Sequence, residues 1–326
     1  MAITVAAPGQ IGGTGDRIAQ FLKVFGGEVI TAFSRASKTE NRHMLRTISS
    51  GKSAAFPVLG RATAAYLAPG DSLDDIRTNI DGTEVVIQID GLLTASAMIT
   101  DIDDAMNHFE VSGEYSTQLG EALAFSADGA VLAELAKLVV ANTENLTGLG
   151  APIITVKTGS TGTSLVSATL GQLYLDALLE MKYNLDVNFV PETDRTCYCS
   201  PDVIAALVNA KIVIDNDYNG NGSITEGKVM RVAGFDMVGC PGLTRGGAST
   251  TNILQGSGHV FPAAYTATCK MIACHRSSVG TLKLMDLGME HARRTEYQAD
   301  MVVAKYAIGH KGLRPESVMM TTLTLS

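Results

Sequence analysis

The sequence contains no tryptophan, and aromatic residues make up only 6% of its 326 positions. Its core must therefore be built from Ala, Val, Ile, Leu and Met. Charge is sparse as well, at 18% against 46% hydrophobic. That balance excludes a disordered chain, which lacks the apolar surface to offset the entropy of ordering. Acids outnumber bases, for a net charge of −8; a nucleic-acid reader usually carries a basic patch, so this class is disfavoured. Five cysteines, an odd number, argue against a full disulfide framework. Cys197 and Cys199 stand too close to bridge comfortably, which points to a reducing compartment. Residues 1–15 lack a basic start and a long apolar run, so no signal peptide is expected. No stretch approaches the ~18 apolar residues of a membrane span.

What is present is organised around the stretch from Ser112 to Asn142. Apolar or small residues recur every four positions: Tyr115, Leu119, Leu123, Ala127, Val131, Leu135 and Val139. This spacing predicts a stripe on one long helix. Glu114, Gln118, Glu121, Asp128 and Lys137 are expected away from it. About 30 residues at ~1.5 Å each give a spine of ~45 Å. Slim flanks at Gly120, Ala124, Ala130, Ala133 and Ala136 let other elements pack closely.

Upstream, residues 1–15 are Gly-rich and unpatterned and read as an arm, followed by helical spacing from Asp16 to Thr31. Arg35 to Lys52 is basic; then Asp71, Asp74, Asp75 and Asp81 crowd one short stretch. Val85, Ile87 and Ile89 alternate as a strand does. Residues from about Ser50 to Ala97 are expected to form a long two-stranded excursion, too poor in core residues to stand alone. A short capped helix is expected from Thr100 to His108. Downstream, helices are expected near Leu170–Met181 and after Ser200-Pro201-Asp202, where a Ser cap precedes a first-position Pro. Strands are expected at Val229–Val238, Met301–Ile308 and Val318–Leu325. The chain is thus of the α+β class.

The motif-like spots carry little chemistry. Ser49-Ser50-Gly51-Lys52-Ser53 ends like a phosphate-binding loop, but Arg46 replaces its first Gly and Pro57 interrupts the helix it needs. Gly70-Asp71-Ser72-Leu73 spells an esterase signature, yet no histidine has an Asp three residues before it, so no oriented base exists and a turn is the better reading. Asp215, Asp217, Asn219 and Glu226 match calcium-loop spacing, but Gly222 and a strand-like approach make them at most a weak metal candidate. Cys197-x-Cys199 has no second pair at zinc spacing. No catalytic set and no cofactor are expected.

Longer runs carry a resemblance. Phe21-Leu22-Lys23-Val24-Phe25-Gly26-Gly27-Glu28-Val29, Phe56-Pro57-Val58-Leu59-Gly60-Arg61, Ala64-Ala65-Tyr66-Leu67-Ala68-Pro69-Gly70 and Asp90-Gly91-Leu92-Leu93-Thr94-Ala95 are similar to segments of the major capsid protein of T-seven-like short-tailed bacteriophages. So are Ser49-Ser50-Gly51-Lys52-Ser53-Ala54 and Asp104-Ala105-Met106-Asn107-His108, and later His275-Arg276-Ser277, Ala304-Lys305-Tyr306-Ala307 and Gly312-Leu313-Arg314-Pro315-Glu316. The likeness is weakest between about Asn142 and Cys269.

The resemblance implies the Hong Kong 97-type capsid fold. It assigns 1–57 to an N-terminal arm and 58–100 to an extended loop. Residues 101–150 with 271–326 become a peripheral domain carrying the spine, and 151–270 an axial domain. It implies a non-enzymatic subunit of pentamers and hexamers, in an icosahedral shell commonly of triangulation number seven. Such a shell encloses double-stranded DNA and is assembled in the host bacterial cytoplasm on a scaffolding protein around a portal, with no membrane. The alternative within this fold is an encapsulin-like compartment. Because the extended loop lies over a neighbour in that fold, Asp71, Asp74, Asp75 and Asp81 are expected to meet Arg42, Arg46, Arg293 and Arg294 of another copy; the alternative is that these acids only keep the loop solvated. Those arginines are expected to lack a local acidic match.

Overall fold

The structure, a computed structural model, describes residues 28–33, 36–70, 72–77, 80–101, 112–146, 148–160, 164–210, 222–223, 228–229, 231–241, 243 and 259–325. In chain order these give α1 (residues 28–33), β1 (Met44–Thr47), β2 (Ser53–Leu59), the one-turn α2 (Leu73–Ile76), β3 (Gly82–Gln88) and β4 (Gly91–Thr100). The spine helix α3 (Ser112–Ala141), β5 (Ile153–Gly159), α4 (Ala168–Val187), β6 (Arg195–Cys199) and α5 (Pro201–Asn209) follow. After β7 (Gly222–Ser223), β8 (Lys228–Val229), β9 (Arg231–Val232) and β10 (Phe235–Gly239) come the C-terminal strands β11 (Cys269–His275), β12 (Val279–Arg294), β13 (Ala299–Gly312) and β14 (Val318–Leu325). The short helix expected at Thr100–His108 and most of Asp16–Thr31 lie outside the described residues.

The spine has the expected length and stops at Asn142, whose φ of 45° is left-handed. That conformation ends a helix, and Asn tolerates it better than most residues. Leu123, Val131, Leu135 and Val139 are buried as the stripe requires, and Leu119 is half-buried. The polar face is not as expected: Asp128 is buried, and so is every residue from 127 to 133. Two causes combine. At 100° per residue a four-residue repeat advances by ~40° a step, so the stripe winds around the helix. In addition, the helix touches both sheets. Leu123 packs with Val302 and Ala304 of β13, whereas Val131, Leu135 and Val139 pack with Tyr198, Ile272, Cys274, Val318 and Met320.

Those partners belong to two separate sheets. One has the order β1-β12-β13-β4, the other β5-β14-β11-β6-β10-β9. The six-stranded sheet is covered on both faces. Cys197, Cys199, Met271, Ala273, Met319 and Leu323 point to α4 and α5, and the alternate residues Tyr198, Ile272, Cys274 and Met320 point to the spine. A strand buried on both sides reads as a continuous apolar run, which is how residues 271–274 of β11 are written. Gly171 on α4 sits so close to α5 that a Cβ there would overlap the Ala206 carbonyl.

This hydrogen bonding divides the chain differently from a peripheral block of 271–326. β11 and β14 pair with β6 and β5, whereas β12 and β13 pair with β1 and β4. The C-terminal segment therefore crosses between sheets twice.

The excursion also differs in extent. Its two strands are β2 and β3, paired antiparallel from Ser53↔Gln88 to Leu59↔Gly82. β4, expected inside the excursion, instead pairs with β13 over ten residues. The reason is burial: Met98 and Ile99 are covered in the body sheet, where an excursion strand would expose them. The ribbon root does find a surface, and it is the subunit's own. Phe56 and Ile87 pack on Leu282 and Leu313, and a methyl at Gly309 would overlap the Gln88 carbonyl.

Candidate functional site

The motif-like spots resolve into structural roles. Ser53 begins a strand, so no helix follows Ser49–Lys52 to cradle a phosphate. Ser72 is the N-cap of α2, its oxygen accepting from the Asp74 N–H at 3.2 Å. Ser200 stands at the α5 cap but does not cap it: its hydroxyl donates to Asp202, which also takes the Lys270 ammonium at 2.8 Å. Lys270 and Asp202 are both about nine-tenths buried, so the ammonium needs that carboxylate. All five thiols are buried and free. Burial pushes Cys199, Cys269 and Cys274 up to about 12 and raises Cys197 well above the ordinary thiol value, far from a reactive thiolate. Among the described residues no cluster of three His, Cys, Asp or Glu is arranged to hold a metal, and no helix is long and apolar enough to cross a membrane. The calcium-loop residues Asp215, Asp217, Asn219 and Glu226 lie outside the described residues.

What remains is surface built for contact. Beyond its anchored root, the ribbon carries Leu59, Tyr66, Leu67, Leu73 and Ile80 in the open, with Tyr66 fully exposed. A run of exposed apolar side chains on an extended loop marks an interaction site. A second exposed apolar face lies along α4, where Leu179, Tyr183 and Val187 stand at four-residue spacing.

The charged candidates separate. Asp74 lies on the exposed tip with Arg77 of the same turn at 3.6 Å, an open pair worth little. The Asp81 carbonyl accepts from Gly60 N–H at 2.8 Å and closes the loop base. Asp71 and the Asp75 side chain lie outside the described residues.

Among the bases, Arg42 is half-buried in a cleft of ≈ 480 Å³ with Lys38, Glu40 and Met237–Gly239. Arg46 is committed within its own chain: it donates to the Ala55 carbonyl at 2.8 Å and lies 5.8 Å from the Phe56 ring centroid, stapling β1 to the ribbon. Arg293 has acidic partners that the linear sequence hides. It donates both Nη groups to Asp101 and one to Asp300 at 3.2 Å, and its hydrogen bond holds the Asp101 carboxyl below the usual range. The expectation that Arg293 lacks an acidic match is therefore wrong, because the β12–β13 hairpin and the end of β4 bring these groups together. Arg294 is exposed.

Three features escaped sequence reasoning. Asp128 accepts from Ser37 Oγ (2.8 Å), Thr39 Oγ1 (2.7 Å) and the N–H groups of Lys38 (2.6 Å) and Thr39 (3.2 Å), so it ties the arm to the spine. Arg61 lies 4.0 Å over the Phe189 ring and donates to the Asn188 and Phe189 carbonyls at the end of α4. His259 sits between Asp90 and Glu134. Each joins residues about 90 to 170 positions apart, and no local spacing announces them.

Comparison with known proteins supplies the context for these surfaces. The model of the family described as Gp10A-like major capsid protein matches residues 55–320. The major capsid protein of Enterobacteria phage T3 is 50% identical over 315 residues, spanning 93% of this chain and 91% of that protein. The major capsid protein of Escherichia phage T7 matches to the same extent. Among solved structures, the capsid of cyanophage P-SCSP1u superposes with a TM-score of 0.73 at 35% identity, covering 89% of each chain. Half-identity to phage capsid proteins disfavours the encapsulin-like alternative. With its spine helix, two sheets and outreaching ribbon, the chain has the α+β Hong Kong 97-type fold and belongs to the Gp10A-like family of phage major capsid proteins.

Proposed function

We propose that copies of this chain assemble as pentamers and hexamers into an icosahedral shell around double-stranded phage DNA. Assembly takes place in the host bacterial cytoplasm, on a scaffolding protein and around a portal at one vertex, and the chain has no catalytic role of its own. The observation that carries this reading is the ribbon: its root is anchored on the subunit's own body, and its apolar tip is exposed. Such a tip needs a partner, and another copy supplies one. Coexpression with the phage's scaffolding protein, followed by electron microscopy, tests it. Closed shells are expected, with five- and six-fold capsomers and triangulation number seven; a persistent monomer would refute the proposal.

The hydrogen bonding also supports a revised division. The arm runs to about residue 52 and the extended loop from 53 to 88. The peripheral unit holds β4, β12 and β13, with β1 of the arm added at the edge of its sheet, and the axial unit holds the six-stranded sheet with α4 and α5.

The acidic tip is proposed to grip a basic surface on the neighbour. Arg46 and Arg293 are engaged at home, so Arg42 and Arg294 are the bases to test. Each exposed pair contributes only ~0.2–1 kcal/mol, but a shell repeats it in every subunit. Asp74→Lys with Asp75→Lys should block assembly at low salt, and adding Arg294→Glu should partly restore it. The difference should shrink near 1 M salt, where the Debye length is ~3 Å. Unchanged assembly of the acid swap at low salt would remove the grip.

A further inference from the structure

His259 is buried with both ring nitrogens engaged. Nε2 is 2.7 Å from Asp90 Oδ2 and Nδ1 is 2.7 Å from Glu134 Oε1. A neutral imidazole has one N–H to donate, whereas an imidazolium has two. Carboxylates on both sides at this distance are satisfied together only by the imidazolium. Asp90 lies in the turn between β3 and β4, at the point where the ribbon returns to the body, and Glu134 is in the last third of the spine.

Two further groups bind the same carboxylates. The Lys137 ammonium binds Glu134 Oε1 at 2.7 Å, and the His310 backbone N–H donates to Asp90 Oδ2 at 3.2 Å. The His310 ring stands edge-on 5.9 Å from His259, with Nδ1 2.8 Å from the Thr281 hydroxyl and Nε2 buried without a partner. Burial, with His43 and His259 nearby, pushes His310 down to about 3, and burial also lowers His43, which faces Arg276. Both stay neutral. The two carboxylates, Lys137 and an imidazolium at 259 sum to zero charge.

We propose that the His259 imidazolium is the positioning residue that sets the angle at which the β2–β3 ribbon leaves the body, presenting its tip to a second copy of this chain. The presentation to a second copy rests on the assembly reading above; the clamp itself rests on the geometry alone. The outgoing leg has its own anchor at Arg61, on the end of α4, so the two legs are held at different places. Removing the His259 charge loosens the returning leg at Asp90, while Ile87 on Leu282 and the Lys311 ammonium on the Val86 carbonyl still tie that leg to the body, so the ribbon's angle changes without its detachment.

The hydrogen bonds to Asp90 and Glu134 raise His259 to about 9 against burial. Burial alone would raise Glu134; the hydrogen bonds from His259 and Lys137 outweigh it and hold that carboxyl at about 2. A base whose native value is raised stabilises most below its unfolded value of ~6.5, and the gain is lost as pH rises through the native value.

Hydrogen exchange on the dissociated full-length subunit, corrected for the intrinsic pH dependence of exchange, tests the clamp. In the parent, amides of residues 53–59 and 82–90 should be protected at about pH 7 and exchange at least about tenfold faster above about pH 9.5, while β11 and β14 stay protected. His259→Gln should show the fast root at neutral pH. His259→Arg, whose guanidinium donates to both carboxylates and keeps its charge above pH ~12, should stay protected throughout. Equal root protection in parent and His259→Gln, or loss in His259→Arg at the parent's pH, would overturn the clamp. If His259→Gln fails to fold, the parent and Arg profiles decide. Electron microscopy of the same variants with scaffolding protein separates the two readings. A freed root with normal shells would overturn the positioning role alone, whereas a parent that forms no shells would count against the assembly reading and leave the clamp standing.

Discussion

Replacing Asp128 by alanine is expected to destabilise the subunit by about 2–4 kcal/mol, because four donors then lose the carboxylate they share in a partly buried site. The donors are Ser37, Lys38 and Thr39, in the segment that leads from α1 to β1. Ser37 and Lys38 are only partly covered, so water can replace part of what they lose; Thr39 is buried and cannot be rehydrated in place. The loss should be local first. Limited proteolysis should cut between residues 36 and 43 in the variant before the six-stranded sheet opens, and urea unfolding should show a lower midpoint. Asp128→Asn keeps one carbonyl acceptor and should fall between alanine and parent. A cost below about 1 kcal/mol for alanine would mean that the arm is held by other contacts. The obvious rivals are α1 against Gly120, where a Cβ would meet the Val29 and Ala32 backbone and side chain, and Glu28 on Ser116 at 2.7 Å.

Leu123→Ala should cost about 2–5 kcal/mol, the range for emptying a fully buried leucine site. Leu123 is 1% exposed and fills the space between α1 and β13, touching Val29, Val302 and Ala304. Leu135→Ala belongs to the same range through the other sheet. Gln118→Ala, at an exposed position of the same helix, should cost at most about 1 kcal/mol, the scale of a solvated polar contact. Denaturant unfolding of the dissociated subunit measures all three. Comparable losses at Leu123 and Gln118 would mean that the helix is rotated from the phase described here. Because Leu123 and Leu135 pack against different sheets, their costs should add in the double variant.

Some of this was legible in the linear chain. The spine's extent follows from a repeat that one helix can satisfy, and its end from Asn142. The one-turn helix at Leu73 was hidden inside an esterase-like string, yet the missing base already reduced Ser72 to a turn residue. The alternation at Val85, Ile87 and Ile89 located β3, because a strand's two faces are written in adjacent residues. The resemblance carried by runs such as Phe56–Arg61 pointed to the capsid family, since segments that match over most of a chain preserve its fold.

The sequence by itself therefore determined the spine helix, the strand at Val85–Ile89, the acidic character and the family. Only the tertiary structure decided which polar groups are buried and with whom. Asp128 reads as a surface residue of an amphipathic helix until the arm crosses it. Arg293 looks unmatched until β4 and β13 bring Asp101 and Asp300 to it. His259 looks like one of six scattered histidines until chain closure sets it between a ribbon turn and the spine. The same holds for β11 and β14, whose apolar runs suit either sheet and whose partners are set by crossovers between them. The physical reason is range. Periodicity and capping act over three or four residues, whereas these pairings, Arg293 with Asp300 aside, span about 90 to 190, and nothing local specifies which distant donor meets which acceptor before the chain closes.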